Sequence, residues 1–202
     1  LSGITNRPAT PSTGRAVSFV ESAKLILGSL SFWQIGTAAF FRYGTFVSIQ
    51  GLWLGLYLIE AKHFLPIDAG NILIMLAVGN LVGSPIAGRI RDLSAHGTKV
   101  VTLAGLILYC VSLFPLSGVW LIKSKAAFML ICFFIGFFQS FGTLLYAHAK
   151  ELFPLSIAAT AMAWANFFIM LGGAVLTSAF GKLIELFPRS GNAYPPEAYQ
   201  LS

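Results

Sequence analysis

Five long stretches of this chain carry almost no charge, and no other feature limits its possible folds as strongly. They are Ile35–Ile59 (broken only by Arg42), Ala69–Gly88, Val100–Ile122, Ala126–Ala149 and Leu152–Gly181. Each is at least as long as the roughly 20 apolar residues a helix needs to cross a hydrocarbon core. A helix in lipid satisfies its own backbone N–H and C=O groups, so the expected fold is all-α, an integral membrane protein built as a transmembrane helical bundle. Composition agrees with this. Charged residues make up 10% of the 202 and hydrophobic ones 56%, whereas an ordinary soluble domain is about 25% charged. A soluble exterior made from that mixture would expose contiguous apolar surface.

The charges that exist collect between the runs and divide the chain into three parts. Residues 1–34 read as a linker rich in Pro, Ser, Thr and Gly, followed by a short amphipathic helix on the membrane surface. In that helix Val17, Val20, Leu27 and Leu30 are the apolar positions, and Trp33 marks the headgroup level. Residues 35–187 hold five spans, at about 35–60, 68–89, 98–122, 126–149 and 154–186. Pro66 and Asp68 signal the start of the second, with Asp68 as an N-cap. The Gly172-Gly173 pair is a place where the long fifth span can bend. Residues 188–202 form an external loop or a truncated tail, and a chain that begins at Leu1 reads as a piece of something longer.

A net charge of +6 raises the question of nucleic acid, but no basic stripe or RNA-binding motif is present, so no nucleic-acid partner is expected. Cations at span ends answer instead to anionic lipid and to topology. Arg7, Arg15, Lys24, Arg89, Arg91, Lys99 and Lys150 fall on one side, and Lys62, Lys123, Lys125, Lys182 and Arg189 on the other. This bias makes the N-terminal linker cytoplasmic and the C-terminal tail external. Cys110 and Cys132 lie inside apolar runs and read as small core residues. Three scattered histidines make no metal site, and no cofactor motif appears.

One stretch, Gly83 to Val100, combines two devices. Gly79, Gly83 and Ala87 are spaced four apart, a small-residue ridge that admits a neighbouring helix backbone, and Gly88 extends it. Arg89, Arg91, Asp92 and Lys99 then gather four charges into eleven residues. Cations there meet anionic headgroups, while Asp92 pairs with an arginine or sits at a helix N-terminus.

The order Gly88-Arg-Ile-Arg-Asp92 with Lys99 resembles the loop signature of the major facilitator superfamily, with Ile90 for the commoner Leu and a thinner basic cluster. Glu151 to Phe167, ELFPLSIAATAMAWANF, is similar to the opening of the eleventh helix in that family, and LGGAVLTSAFGKLIE to its continuation. The resemblance implies the C-terminal half of such a transporter, with the spans as helices seven to eleven of twelve. It also implies that an N-terminal six-helix half and the final helix complete the molecule. The expected localisation is the plasma (inner) membrane, the expected partners a small-molecule solute and the lipid bilayer. By the same resemblance Gly83, Gly88, Arg89, Arg91, Asp92 and Lys99 form a gating motif.

Polar groups inside the spans are the candidates for solute binding, because burying an unpaired amide or charge in lipid costs several kcal/mol. Arg42, Phe46, Ile49, Gln50, Trp53 and Tyr57 fall on one helical stripe by 3–4 residue spacing. Gln50, Asn80, Gln139 and Asn166 are amides at similar depth on four spans, and with Trp53, Tyr146 and Trp164 they complete the candidate set. The family resemblance agrees, since its cavity is lined by the first, second, fourth and fifth helices of this half. Blander roles stand beside each. Arg42 can snorkel to lipid phosphates, the amides can bond helix to helix, and the aromatic rings can simply pack.

No Asp or Glu lies deep in any span, so this stretch carries no buried carboxylate of the kind proton coupling uses. Phosphate loops, Gly-x-Ser-x-Gly and paired-His zinc motifs are missing, and no enzymatic role is expected. The function expected is secondary active or facilitative transport of a small organic solute by alternating access. Alternatives are a non-transporting receptor or assembly subunit of the same fold, or a lipid-acting enzyme using His96 with Asp92 or His148 with Glu151.

Overall fold

The computed structural model describes residues 18–95, 97–117 and 122–187, and every regular element among them is helical. The linker, His96 and the tail from residue 188 lie outside the described residues. Helix α1 (Phe19–Leu27) is followed by α2 (Leu30–Ser48), which runs without interruption through a π-helical turn (Ile49–Trp53), the short α3 (Leu54–Leu56) and a second π turn (Tyr57–Ala61). Then come α4 (Pro66–Leu93), α5 (Gly97–Leu113) with a 3-10 turn to Ser117, and α6 (Lys125–Gln139). A 3-10 turn (Ser140–Thr143), α7 (Leu144–Glu151) and α8 (Leu155–Glu185) complete the order. Among the described residues, four helical segments are long and apolar enough to cross a membrane: Pro66–Leu93, Gly97–Ser117, Lys125–Glu151 and Leu155–Glu185. The Leu30–Ala61 run is of similar length but changes its hydrogen-bond pattern twice. The fold is therefore an all-α membrane helical bundle.

Local chemistry accounts for the helix starts. Ser29 caps α2, its Oγ accepting from the Phe32 N–H at 3.4 Å. Pro66 opens α4 at a position where its missing N–H costs nothing. The N-cap of α4 is Leu65 rather than Asp68, which sits in the first turn and pairs with Lys125 at the start of α6. That carboxylate still favours the positive end of the helix dipole, but it also ties two helices together. Trp33 donates through Nε1 to the Leu27 carbonyl at 2.7 Å, satisfying one of the orphan acceptors at the end of α1.

Helices pack here through small residues. The closest partners are α4 with α6 and α2 with α8. A Cβ on Gly79 would strike the Phe133 carbonyl, and one on Gly136 the Leu76 carbonyl, so the backbones of α4 and α6 are in contact. The Gly79–Gly83–Ala87 ridge is buried throughout, while Gly88 faces open space and takes no part in the contact. On the other side Gly172 meets Phe40 and Gly44, and Ser48 Oγ lies 3.1 Å from Thr177 Oγ1. That close approach explains the glycine pair in α8, which stays α-helical across Gly172-Gly173.

One apolar cluster centres on Ile72, Leu76, Phe128, Cys132 and Ile135, and a second on Phe32, Ile157, Ala161 and Ala165. Cys132 is core as expected, but Cys110 is exposed on α5. Helix α1 lies against α8 through Ser22 and Ile26, leaving Phe19, Val20 and Leu25 outward. Leu81, Ile107, Val111 and Met170 are likewise exposed, the exterior expected where the solvent is lipid.

Candidate functional site

Where α2, α4, α5 and the end of α6 converge, the bundle holds a cation. Arg42 is 6% exposed, and its Nη1 donates to the backbone carbonyl of Gln139 at 2.8 Å. Its Nε is buried with no hydrogen-bond partner among the described residues. Among the described residues no carboxylate forms an ion pair with it; its electrostatic neighbours are the phenols of Tyr109, Tyr146 and Tyr43. The guanidinium lies directly over Gly142, where any Cβ would take its place. Tyr109 Oη stands 3.5 Å from the Arg42 carbonyl on the α5 side. This arrangement differs from snorkelling, which would carry the cationic head out to the surface.

The four amides do not form a single ring. Asn80 Nδ2 donates to Gln139 Oε1 at 2.6 Å, joining α4 to α6. Asn166 accepts from Tyr146 Oη at 2.8 Å, joining α8 to α7 on an exposed face. Gln50 is exposed, although Arg42, Phe46, Ile49, Trp53 and Tyr57 are all buried. Gln50 follows Ile49 in the first turn of the π-helical segment, where the α-helical spacing no longer holds, and its side chain falls on the exposed side. Trp53 is 5% exposed and stacks on Tyr57 with ring centroids 4.8 Å apart, so its face is already used. Trp164 is half-buried and meets Phe167 edge to face.

At the end of the bundle where α4 stops, Arg91 is the organising residue of the charged stretch. Its Nη2 donates to Glu151 Oε1 at 2.6 Å, and its Nε to Thr98 Oγ1 at 3.1 Å. Thr98 Oγ1 also donates to Glu151 at 3.0 Å, so the ends of α4, α5 and α7 are tied at one point. Asp92 is largely exposed and reaches Arg91 Nη1 only at 3.4 Å. It belongs to the last turn of α4 and not to a helix N-terminus. Arg89 and Lys99 point outward; Lys99 joins His148 and Gln34 around a cavity of about 210 Å³ between α2, α5 and α7. Gly83 presses on Ser140 and Phe137.

Three residues of these arrangements carried no signal in the sequence that marked them: Gly142, Thr98 and Glu151 as the partner of Arg91. Each takes its place from a contact between distant segments. Among the described residues no group of three His, Cys, Asp or Glu side chains could hold a metal ion.

Comparison with known proteins bears on this architecture directly. Residues 4–177 match the family model of the Major Facilitator Superfamily. A probable hexose phosphate transport protein of Chlamydia pneumoniae is 26% identical over 167 residues, which cover 79% of this chain and 35% of that protein. The chain thus spans about a third of the length of that curated relative. With most of its length matched by the family model, and with an all-helical membrane bundle around a buried cation, this chain belongs to the major facilitator superfamily.

Proposed function

We propose that this chain is the C-terminal, five-helix portion of a secondary active or facilitative transporter for a small anionic organic solute. It works by alternating access, one half moving against the other around a site near the bilayer midplane. The observation that carries the solute class is the environment of Arg42: a buried guanidinium with, among the described residues, one carbonyl partner, no carboxylate and an unpartnered Nε. An isolated cation inside a bilayer is costly, and such residues mark solute pathways by default. An anionic solute supplies the missing counter-charge, and its oxygens accept the charge-assisted bonds that guanidinium forms best.

The name of the chlamydial relative favours a phosphorylated sugar among such anions. A sugar phosphate also brings hydroxyls, and the Tyr146–Asn166 pair offers them donors and acceptors on an exposed face near Arg42. Gln50 and Trp164 belong to the same proposed wall. Trp53, stacked and buried, supports it from behind. The charged stretch around Arg91 acts as the cytoplasmic gate region, with the N-terminal linker on that side of the plasma (inner) membrane. The other six-helix half and the final helix complete the cavity.

Proteoliposomes holding the complete transporter test this reading. Saturable uptake of glucose 6-phosphate, abolished by Arg42→Ala at equal protein insertion, is the expected result. Absence of solute-dependent flux and of any thermal shift with phosphate esters, phosphate or carboxylates would sink it, and would favour a non-transporting protein of the same fold.

A further inference from the structure

We infer that Gly142 and the Asn80–Gln139 pair are positioning residues for Arg42, fixing which edge of its guanidinium is offered to the solute. This rests on the reading of Arg42 as the counter-charge of the solute. It goes beyond that reading by assigning the cause of the arginine's orientation to a break in a neighbouring helix.

Helix α6 ends at Gln139 and continues into α7 through the 3-10 turn Ser140–Thr143. Two side chains hold that turn: Ser140 Oγ donates to the Phe137 carbonyl at 2.6 Å, and Thr143 Oγ1 to the Ser140 carbonyl at 2.8 Å. At such a junction the hydrogen-bond pattern changes and a carbonyl is open to a second donor. Gln139 is clamped at both ends. Its side chain accepts from Asn80 on α4, and its backbone carbonyl accepts from Arg42 Nη1 on α2.

In a 3-10 turn residues three apart eclipse, so Gly142 falls on the same side as Gln139. The guanidinium rests on that bare Cα, and even one methyl group there would occupy its space. The backbone contact of Gly79 and Gly136 holds α4 rigidly against α6, which keeps Asn80 within reach of Gln139. With Nη1 taken by the carbonyl and the face taken by Gly142, the edge shared by Nε and Nη2 is the one left over. That edge grips a carboxylate or phosphate with two parallel N–H bonds, and its Nε has no partner among the described residues.

A purely structural role predicts something different, namely an amide pair that only glues α4 to α6. A double-variant cycle in the complete transporter separates the two, with glucose 6-phosphate and inorganic phosphate as probes. Asn80→Leu and Gly142→Ala are each measured for binding and turnover, alone and on an Arg42→Lys background. Each alone is expected to weaken binding roughly ten-fold, the scale of one misplaced charge-assisted bond. On the lysine background, where the guanidinium edge no longer exists, the same changes are expected to cost less than about two-fold.

Equal weakening in both backgrounds, or none from either single variant, would overturn the inference. Should Arg42→Lys itself bind like the parent, the reading of Arg42 fails first, a result distinct from failure of the positioning role. If Asn80→Leu does not insert, Asn80→Ser, which keeps a shorter donor, is expected to give a smaller loss than Gly142→Ala. A loss from Asn80→Ser that persists unchanged on the lysine background counts against the inference equally.

Discussion

Arg42 and Gln139 stand 97 positions apart in the chain, yet Nη1 of one donates to the backbone carbonyl of the other at 2.8 Å. A carbonyl orients a guanidinium without neutralising it. The pair therefore keeps a full positive charge in the interior of an apolar bundle, and that retained charge is what the first prediction probes.

Replacing Arg42 with Met fills a similar volume and removes the buried charge. Swapping buried charged groups for well-packed apolar ones is often neutral or stabilising by about 1–4 kcal/mol. The expected outcome is an unchanged or raised Tm together with loss of solute binding, measured by thermal unfolding and by equilibrium binding on the same preparation. A marked fall in Tm would mean that the arginine is there for the fold.

Glu151→Gln is expected to reduce transport more than Asp92→Asn does. Glu151 holds Arg91 at 2.6 Å and also accepts from Thr98, whereas Asp92 is mostly exposed and sits at 3.4 Å. Both partners of the Arg91–Glu151 pair are partly exposed, so the loss in stability stays below about 1 kcal/mol. Flux normalised to inserted protein, at low and high salt, checks this. A larger effect from Asp92→Asn would move the gate role back to that carboxylate.

The contact between α4 and α6 depends on bare Cα atoms. Gly79→Ala or Gly136→Ala forces backbone against a new methyl group and is expected to cost about 1–3 kcal/mol, as overpacking does. Gly70→Ala is the control, since nothing lies near that position. It is expected to be neutral or to stabilise by up to about 1 kcal/mol through helix propensity. Denaturant titration of the three variants decides. Similar losses at all three positions would show that close approach is not the reason for Gly79 and Gly136.

Trp53 and Tyr146 should separate packing from recognition. Trp53→Ala removes a buried, stacked ring and is expected to cost about 3–5 kcal/mol, while the folded fraction binds solute with near-normal affinity. Tyr146→Phe deletes only the hydroxyl that bonds Asn166. It is expected to weaken solute binding several-fold with a stability change within about 1 kcal/mol. The reverse pattern would exchange the two roles.

Several of these residues could be found by reading the chain, and others could not. Arg42 stood out because it is the one charge inside a charge-poor run, and Asn80, Gln139 and Asn166 because amides are rare at such depth. The glycine ridge was legible from its spacing, and the structure pairs it with α6. Gln50 shared the depth and spacing of the stripe, but its side chain falls on the exposed side. Gly142 carried no local mark, and nothing along the chain marked Glu151 as the partner of Arg91.

The sequence by itself determined that the chain is an all-α membrane helical bundle. Exclusion of charge from hydrocarbon and the need to bond each backbone group internally act residue by residue along one segment, so pattern alone reveals them. The tertiary structure decided that Arg42 meets a carbonyl instead of a carboxylate, that Arg91 closes on Glu151, and that Asn80 pairs with Gln139 while Asn166 pairs with the Tyr146 hydroxyl. Those outcomes depend on which helix faces come together. Close approach at glycines and a 3-10 break after Gln139 set those faces, through contacts between segments far apart in the chain.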